Sequence, residues 1–127
     1  SGKHVVVIGR GPTLGRPLAL LLTTKAPGAN AAVTVVHSAV PDLAELTREA
    51  DIVVAALGVP SFVQPEMVRP GAVVVSGGIS WEGKKLLADV DDSVGEVASW
   101  ITPRLGGVGP TTVAMLLRNT VEAAERA

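Results

Sequence analysis

The chain contains no cysteine and no tyrosine, and only one phenylalanine, two tryptophans and two histidines. Without cysteine, disulfides and thiolate metal sites are excluded. Aromatic residues make up 2%, which argues against base stacking as a mode of action. The formal net charge is −1 and there is no long basic run, so nothing marks a nucleic-acid surface. No apolar run reaches the ~18 residues of a membrane span, and no signal peptide is visible. A cytoplasmic protein with no membrane partner is the expectation. Only His4 and His37 can serve as imidazole bases, which makes a hydrolytic reading poor. No loop carries a calcium-binding pattern, and no metal site is expected. Asp89, Asp91, Asp92 and Glu96 read as a solvated acidic face. The first residue is Ser1 and the first core strand follows almost at once, which suggests an excised or processed domain.

What is present is a core. The 127 residues suffice for one domain, 1–127, and 47% of them are hydrophobic against 18% charged. The fourteen glycines and nine prolines sit at the ends of apolar runs. The chain is organised around VVVIGRGPTLGRP, residues 5–17. Val5 to Ile8 read as a strand buried on both faces. Gly9 and Gly11 break it into a tight turn, Gly15 starts a helix, and Pro17 is pre-set for the first helical turn. Leu18 to Leu22 continue that helix as a buried, almost wholly apolar run. Strand, glycine turn and helix open a dinucleotide-binding unit, in which turn amides and the positive helix end face one point that suits a pyrophosphate. The glycines run G-x-G-x-x-x-G, one residue longer than the usual fingerprint. A structural strand–helix turn in another α/β domain is the alternative.

Further along, Ala31–Val36 reads as a second strand, Pro41 opens a helix over DLAELTREA, and Asp51–Ala56 is a third strand. Gln64–Val68 is a helical turn and Ala72–Val75 a fourth strand, with Ser76–Ser80 its loop. Trp81 begins a looser excursion, followed by a short strand over Leu86–Val90, an acidic helical turn over Asp91–Ala98 and a last strand over Ser99–Thr102. Pro103–Pro110 is a glycine loop before a closing helix capped by Thr111 or Thr112. Val113, Leu116, Leu117, Val121 and Ala124 give that helix one apolar face. The β-α-β-α-β alternation predicts an α/β fold: a Rossmann-like, doubly wound parallel sheet with helices on both faces. Its ligand edge holds Gly9–Gly11, His37-Ser38 and Leu57-Gly58.

In NAD-selective folds an acidic residue about 20 residues past the glycines binds the ribose hydroxyls. Here the second strand ends at His37, 22 residues past Gly15, and no carboxylate stands there. Ser38 can donate to a 2′-phosphate and Arg10 can reach it with a charge-assisted fork, which predicts NADP over NAD. A solvated cation at Arg10 and a partly buried strand end at His37 are the alternatives. Gly106, Gly107 and Gly109 permit close backbone approach to a ligand, or form a plain turn.

The stretches VVVIGRG…LGRPLALLL, VTVVHS, ADIVVAALG, VRPGAVVV and ITP followed by GGVGPTTVAMLLRNTVEAA occur in order along the chain. Together they resemble the methylenetetrahydrofolate dehydrogenase/methenyltetrahydrofolate cyclohydrolase enzymes of one-carbon metabolism. The resemblance implies a carboxyl-terminal NADP-binding domain. It implies oxidation of methylenetetrahydrofolate with NADP and hydrolysis of the product to formyltetrahydrofolate. It places Gly9, Arg10 and Gly11 in the turn that contacts the cofactor, Ser38 with Arg10 at the 2′-phosphate, and Ile79 near the nicotinamide. Gly58 and the loop Gly106 to Thr112 fall on cofactor-facing segments. The resemblance also suggests a homodimer.

Three departures stand out. Gly11 replaces a serine, Ser76-Gly77 replaces an Asp-Val or Asp-Cys pair, and Arg104-Leu105 replaces Val-Pro. The family's catalytic Y-x-x-x-K pattern belongs to an amino-terminal folate-binding domain, and this chain has no tyrosine. The chain alone is therefore expected to bind NADP, to carry no catalytic residue and to turn over no folate. A free-standing nucleotide-binding module and the cofactor half of a shikimate or amino-acid dehydrogenase are the competing readings.

Overall fold

The computed structural model describes all 127 residues. Strand β1 (His4–Ile8) is a β-branched run whose side chains alternate between two faces. Val6 and Ile8 join Val36, Val53, Ala55 and Val74 on one side, while Val5 and Val7 join Val54 on the other. The strand is thus buried on both faces, as an unbroken apolar run predicts. After it come α1 (Gly15–Leu22), β2 (Ala32–Val36), α2 (Leu43–Arg48), β3 (Ile52–Ala55) and β4 (Val73–Ser76). β5 (Ile79–Glu82), β6 (Lys85–Ala88), β7 (Trp100–Ile101) and α3 (Val108–Arg126) complete the chain. Five strands form one parallel sheet in the order β2-β1-β3-β4-β7.

Helices cover both faces of the sheet. Leu43 and Leu46 of α2, with Val63, Val68 and Val94 from short turns, close the larger core. Leu18 and Leu22 of α1 pack over Val5, Val7 and Val54. The order turns back at β1: β2 lies on one side of it and β3 on the other. In such sheets the crevice beyond the carboxyl ends of the strands at that reversal is where ligands bind.

The amino end of the sheet is fastened by polar side chains. The His4 N–H donates to Asp51 Oδ2 at 2.9 Å, and Arg69 donates to Asp51 Oδ1 at 2.6 Å. The His4 ring pairs with the Thr34 hydroxyl at 3.0 Å. His4 therefore belongs to the edge opposite the crevice.

Several local expectations are corrected. α1 is half exposed: Leu20 is 72% and Leu21 is 62% accessible, because only its Leu18 and Leu22 side meets the sheet. Ile79, expected in a loop, starts a two-stranded antiparallel hairpin with β6, which turns at Gly83 with φ +59°. The predicted strand over Leu86–Val90 becomes β6, and Val90 makes an isolated bridge to Val63. α3 starts at Val108 after Gly107, not at Thr111 or Thr112. Those two hydroxyls donate back to the carbonyls of Gly107 and Val108, one helical turn earlier. The apolar side of α3 lies exposed at Val113, Leu116, Leu117 and Val121. No helix is long and apolar enough to cross a membrane.

Candidate nucleotide-binding mouth

Gly9 is the residue on which the crevice is built. Its φ is +115°, and a Cβ there would collide with the carbonyl oxygen of Ala56 at the end of β3. Its N–H donates to Val36 O at 2.8 Å, at the end of β2. One glycine thus lets the carboxyl ends of three neighbouring strands converge. Gly15 is equally constrained, since a Cβ there would strike the Gly9 carbonyl. This close approach seats the start of α1 directly on the turn. Leu14 at the helix start provides no side-chain cap, and the first turn holds no acidic residue. The positive end of the helix therefore faces the mouth without compensation. Gly11 differs: a Cβ there would meet nothing within 4 Å, and its φ is not left-handed. The tight turn requires glycine at 9 and not at 11.

At the end of β2 the structure brings together Arg10, His37 and Ser38. Arg10 and Ser38 are exposed. Arg10 Nη1 lies 3.3 Å from His37 Nε2, and the Ala39 N–H approaches His37 Nδ1 at 3.3 Å. A neutral imidazole accepts at only one nitrogen. One of the two donors, Arg10 or Ala39, consequently has no acceptor on His37. This corner is rich in donors and holds no carboxylate.

The ends of β3 and β4 are joined by a residue the sequence reading placed elsewhere. Asp89 is fully buried, not part of a solvated acidic face. Its Oδ2 accepts from the N–H groups of Leu57 at 2.7 Å and Gly58 at 2.9 Å. Its Oδ1 has no partner. The available signal was its setting in LLADV, apolar on both sides. Asp91, by contrast, caps the turn Asp92–Glu96. The hydroxyl and then the N–H of Ser93 hold its carboxyl below the ordinary range.

On the far side of the mouth, Ile79 lines a cavity of about 330 Å³ with Gly77, Leu86, Arg104, Gly106 and Gly107. Gly107 must be small, because a Cβ would press on Thr102 Cγ2 and the Pro103 carbonyl. The Ser76-Gly77 departure leaves this loop tied: the Gly77 N–H donates to Ala55 O at 2.8 Å and the Ser76 N–H to Thr102 Oγ1 at 3.2 Å. A larger apolar hollow of about 690 Å³ lies between α3 and the sheet edge, lined by Val75, Trp100, Met115 and Leu116. The predicted residues therefore fall into three groups along one edge. Arg10 reaches from the turn after β1 to the end of β2, where Ser38 stands, Gly9, Gly11 and Gly58 lie at β1 and β3, and Ile79 lies beyond β4.

Comparison with known proteins identifies the family. The Bifunctional protein FolD of Syntrophotalea carbinolica is 78% identical over 125 residues, covering 98% of this chain and 43% of its own length. Bifunctional protein FolD 1 of Salinispora tropica is 64% identical over 126 residues, covering 99% of this chain and 41% of its own length. The crystal structure of the bifunctional methylenetetrahydrofolate dehydrogenase/cyclohydrolase from Campylobacter jejuni superposes with a TM-score of 0.91 at 42% identity. It matches over 99% of this chain and 44% of that one. The Trypanosoma brucei enzyme, solved with NADP cofactor and an inhibitor, superposes at 0.84 with 44% identity over 99% of this chain and 46% of its own. The chain thus spans less than half the length of these relatives. Over residues 1–127 it matches the NAD(P)-binding domain of tetrahydrofolate dehydrogenase/cyclohydrolase, and it belongs to that family.

Proposed function

We propose that this chain is the cofactor half of an enzyme that oxidises methylenetetrahydrofolate to methenyltetrahydrofolate with NADP and hydrolyses the product to formyltetrahydrofolate. The observation that carries the reading is the donor-rich corner at the end of β2, where Arg10 and His37 meet with no carboxylate. A 2′-phosphate seated there supplies the acceptor that His37 alone cannot provide to both neighbours, and the exposed Ser38 hydroxyl adds a third donor. The missing Cβ of Gly9, the turn amides and the uncapped start of α1 suit the pyrophosphate. Gly58 and Ile79 face the other half of the dinucleotide. When bound, NADP supplies the hydride acceptor. This chain's residues hold and orient it and keep the ring end against the Ile79 cavity.

The groups that act on the folate come from the amino-terminal half that the relatives possess and this chain does not span. The reading includes a homodimer working in the cytoplasm. The test is Arg10→Ala, with NADP and NAD titrated calorimetrically. Losing a bond to a charged group costs about 1.5–3 kcal/mol, or about tenfold to a hundredfold in affinity. NADP binding should weaken by that factor while NAD binding stays unchanged. Equal NADP affinity in the variant defeats the assignment, and folate turnover by the 127 residues alone defeats the division of labour.

A further inference from the structure

We propose that Asp89 is a positioning residue that sets the backbone of the mouth for the nicotinamide half of the cofactor; this rests on the function proposed above. Asp89 touches neither the crevice nor solvent, with an accessibility of 0%. It acts through two loops. Its Oδ2 draws in the Leu57 and Gly58 N–H groups, fixing the chain just beyond β3. The same carboxyl rests against Gly78 so closely that a Cβ there would overlap both of its oxygens. The Gly77 and Gly78 N–H groups both donate to Ala55 O, at 2.8 and 3.1 Å. The Asp89 N–H in turn donates to Gly78 O at 3.3 Å. One buried side chain therefore locks the loop after β3 to the loop after β4, and Ile79 leaves the second loop directly.

Placement decides which half of the ligand is affected. A doubly wound sheet binds the two mononucleotides on either side of the reversal. The adenosine half belongs over β1 and β2, with Arg10 and His37, whereas the loops Asp89 holds follow β3 and β4, on the other side of β1 from β2. The other half belongs over β3 and β4, where the Asp89 lock lies.

The experiment compares NADP with 2′-phospho-ADP-ribose, which lacks only the nicotinamide ring, by calorimetry on the full chain. Asp89→Ala should lower NADP affinity about tenfold, the worth of bonds to a charged group, and leave 2′-phospho-ADP-ribose within twofold. Asp89→Asn should restore most of the loss, because its amide oxygen accepts from the same two N–H groups. Gly78→Ala, which pushes on the carboxyl from the other side, should reproduce the selective loss. In the unaltered chain the Leu57 and Gly58 amides should resist hydrogen exchange before any ligand is added, a reading that does not depend on a variant folding. Unprotected amides, a parallel loss of both ligands, or no loss of either would overturn the proposal. If the unaltered chain binds 2′-phospho-ADP-ribose and NADP in the proposed mouth, such a result removes only the role of Asp89. If it binds neither, the function proposed above falls as well.

Discussion

The two glycines of the turn should respond oppositely to the same added methyl group. In Gly9→Ala the methyl meets the Ala56 carbonyl, and the backbone keeps a φ of +115° that L side chains rarely adopt. The strained backbone costs about 1–3 kcal/mol. Forcing atoms into a packed site adds about 1–3 kcal/mol. Part is offset because alanine also restricts the unfolded chain, by about 0.4–1 kcal/mol. The net expectation is a loss of about 3 kcal/mol. The obstruction cannot yield cheaply, because Ala56 is held by its own N–H, which donates to Ile8 O at 2.8 Å. In Gly11→Ala the methyl enters open space, so the change should lie within about 0.5 kcal/mol or stabilise slightly. Urea denaturation followed by far-ultraviolet circular dichroism separates the two. With a slope of about 2 kcal/mol per molar for a domain of this size, the Gly9→Ala midpoint should fall by about 1.5 M. Coincident midpoints for the two variants would refute the claim that only Gly9 is sterically required.

Other expectations follow from the same contacts. Gly11→Ser places a hydroxyl in the open space beside the uncapped start of α1, and NADP should bind about threefold to tenfold more tightly; a weaker complex would mean that the phosphates do not sit there. The Asp51 carboxyl is held below the ordinary carboxylate range, first by the His4 N–H and then by Arg69. A depressed folded value adds stability above the unfolded value of about pH 4 and loses it as pH falls through the folded value. The urea midpoint of Asp51→Asn should therefore change less than that of the unaltered chain between about pH 4 and about pH 2. Parallel curves would contradict the pairing.

How far the sequence can be read differs from element to element. The four apolar residues of β1, the glycine turn and the alternating strands and helices are decided by local rules of period and backbone freedom. They announce the parallel sheet and its ligand edge. The meeting of Arg10 with the end of β2 is legible as well, because the offset from the glycines to the end of the second strand is set by the length of one β-α-β unit. Ile79 is legible as a residue through resemblance, although its strand is not. The alternation of ISWE is weak, and the hairpin depends on Gly83 taking a left-handed conformation. The reading failed on burial. Asp89 looks in sequence like its acidic neighbours Asp91 and Asp92, yet the hairpin returns it under the loop after β3.

By itself, the sequence determined the strands of the parallel sheet, the need for glycine in the turn after β1, and that no carboxylate stands at the end of the second strand. These depend on steric freedom and periodicity over a few neighbouring residues. Only the tertiary structure decided that Leu20 and Leu21 face outward, that α3 keeps its apolar side open, and that Asp89 ties two loops together. Burial belongs to pairs of distant segments, and the approach of Asp89 to Gly78 exists only once the hairpin has folded back.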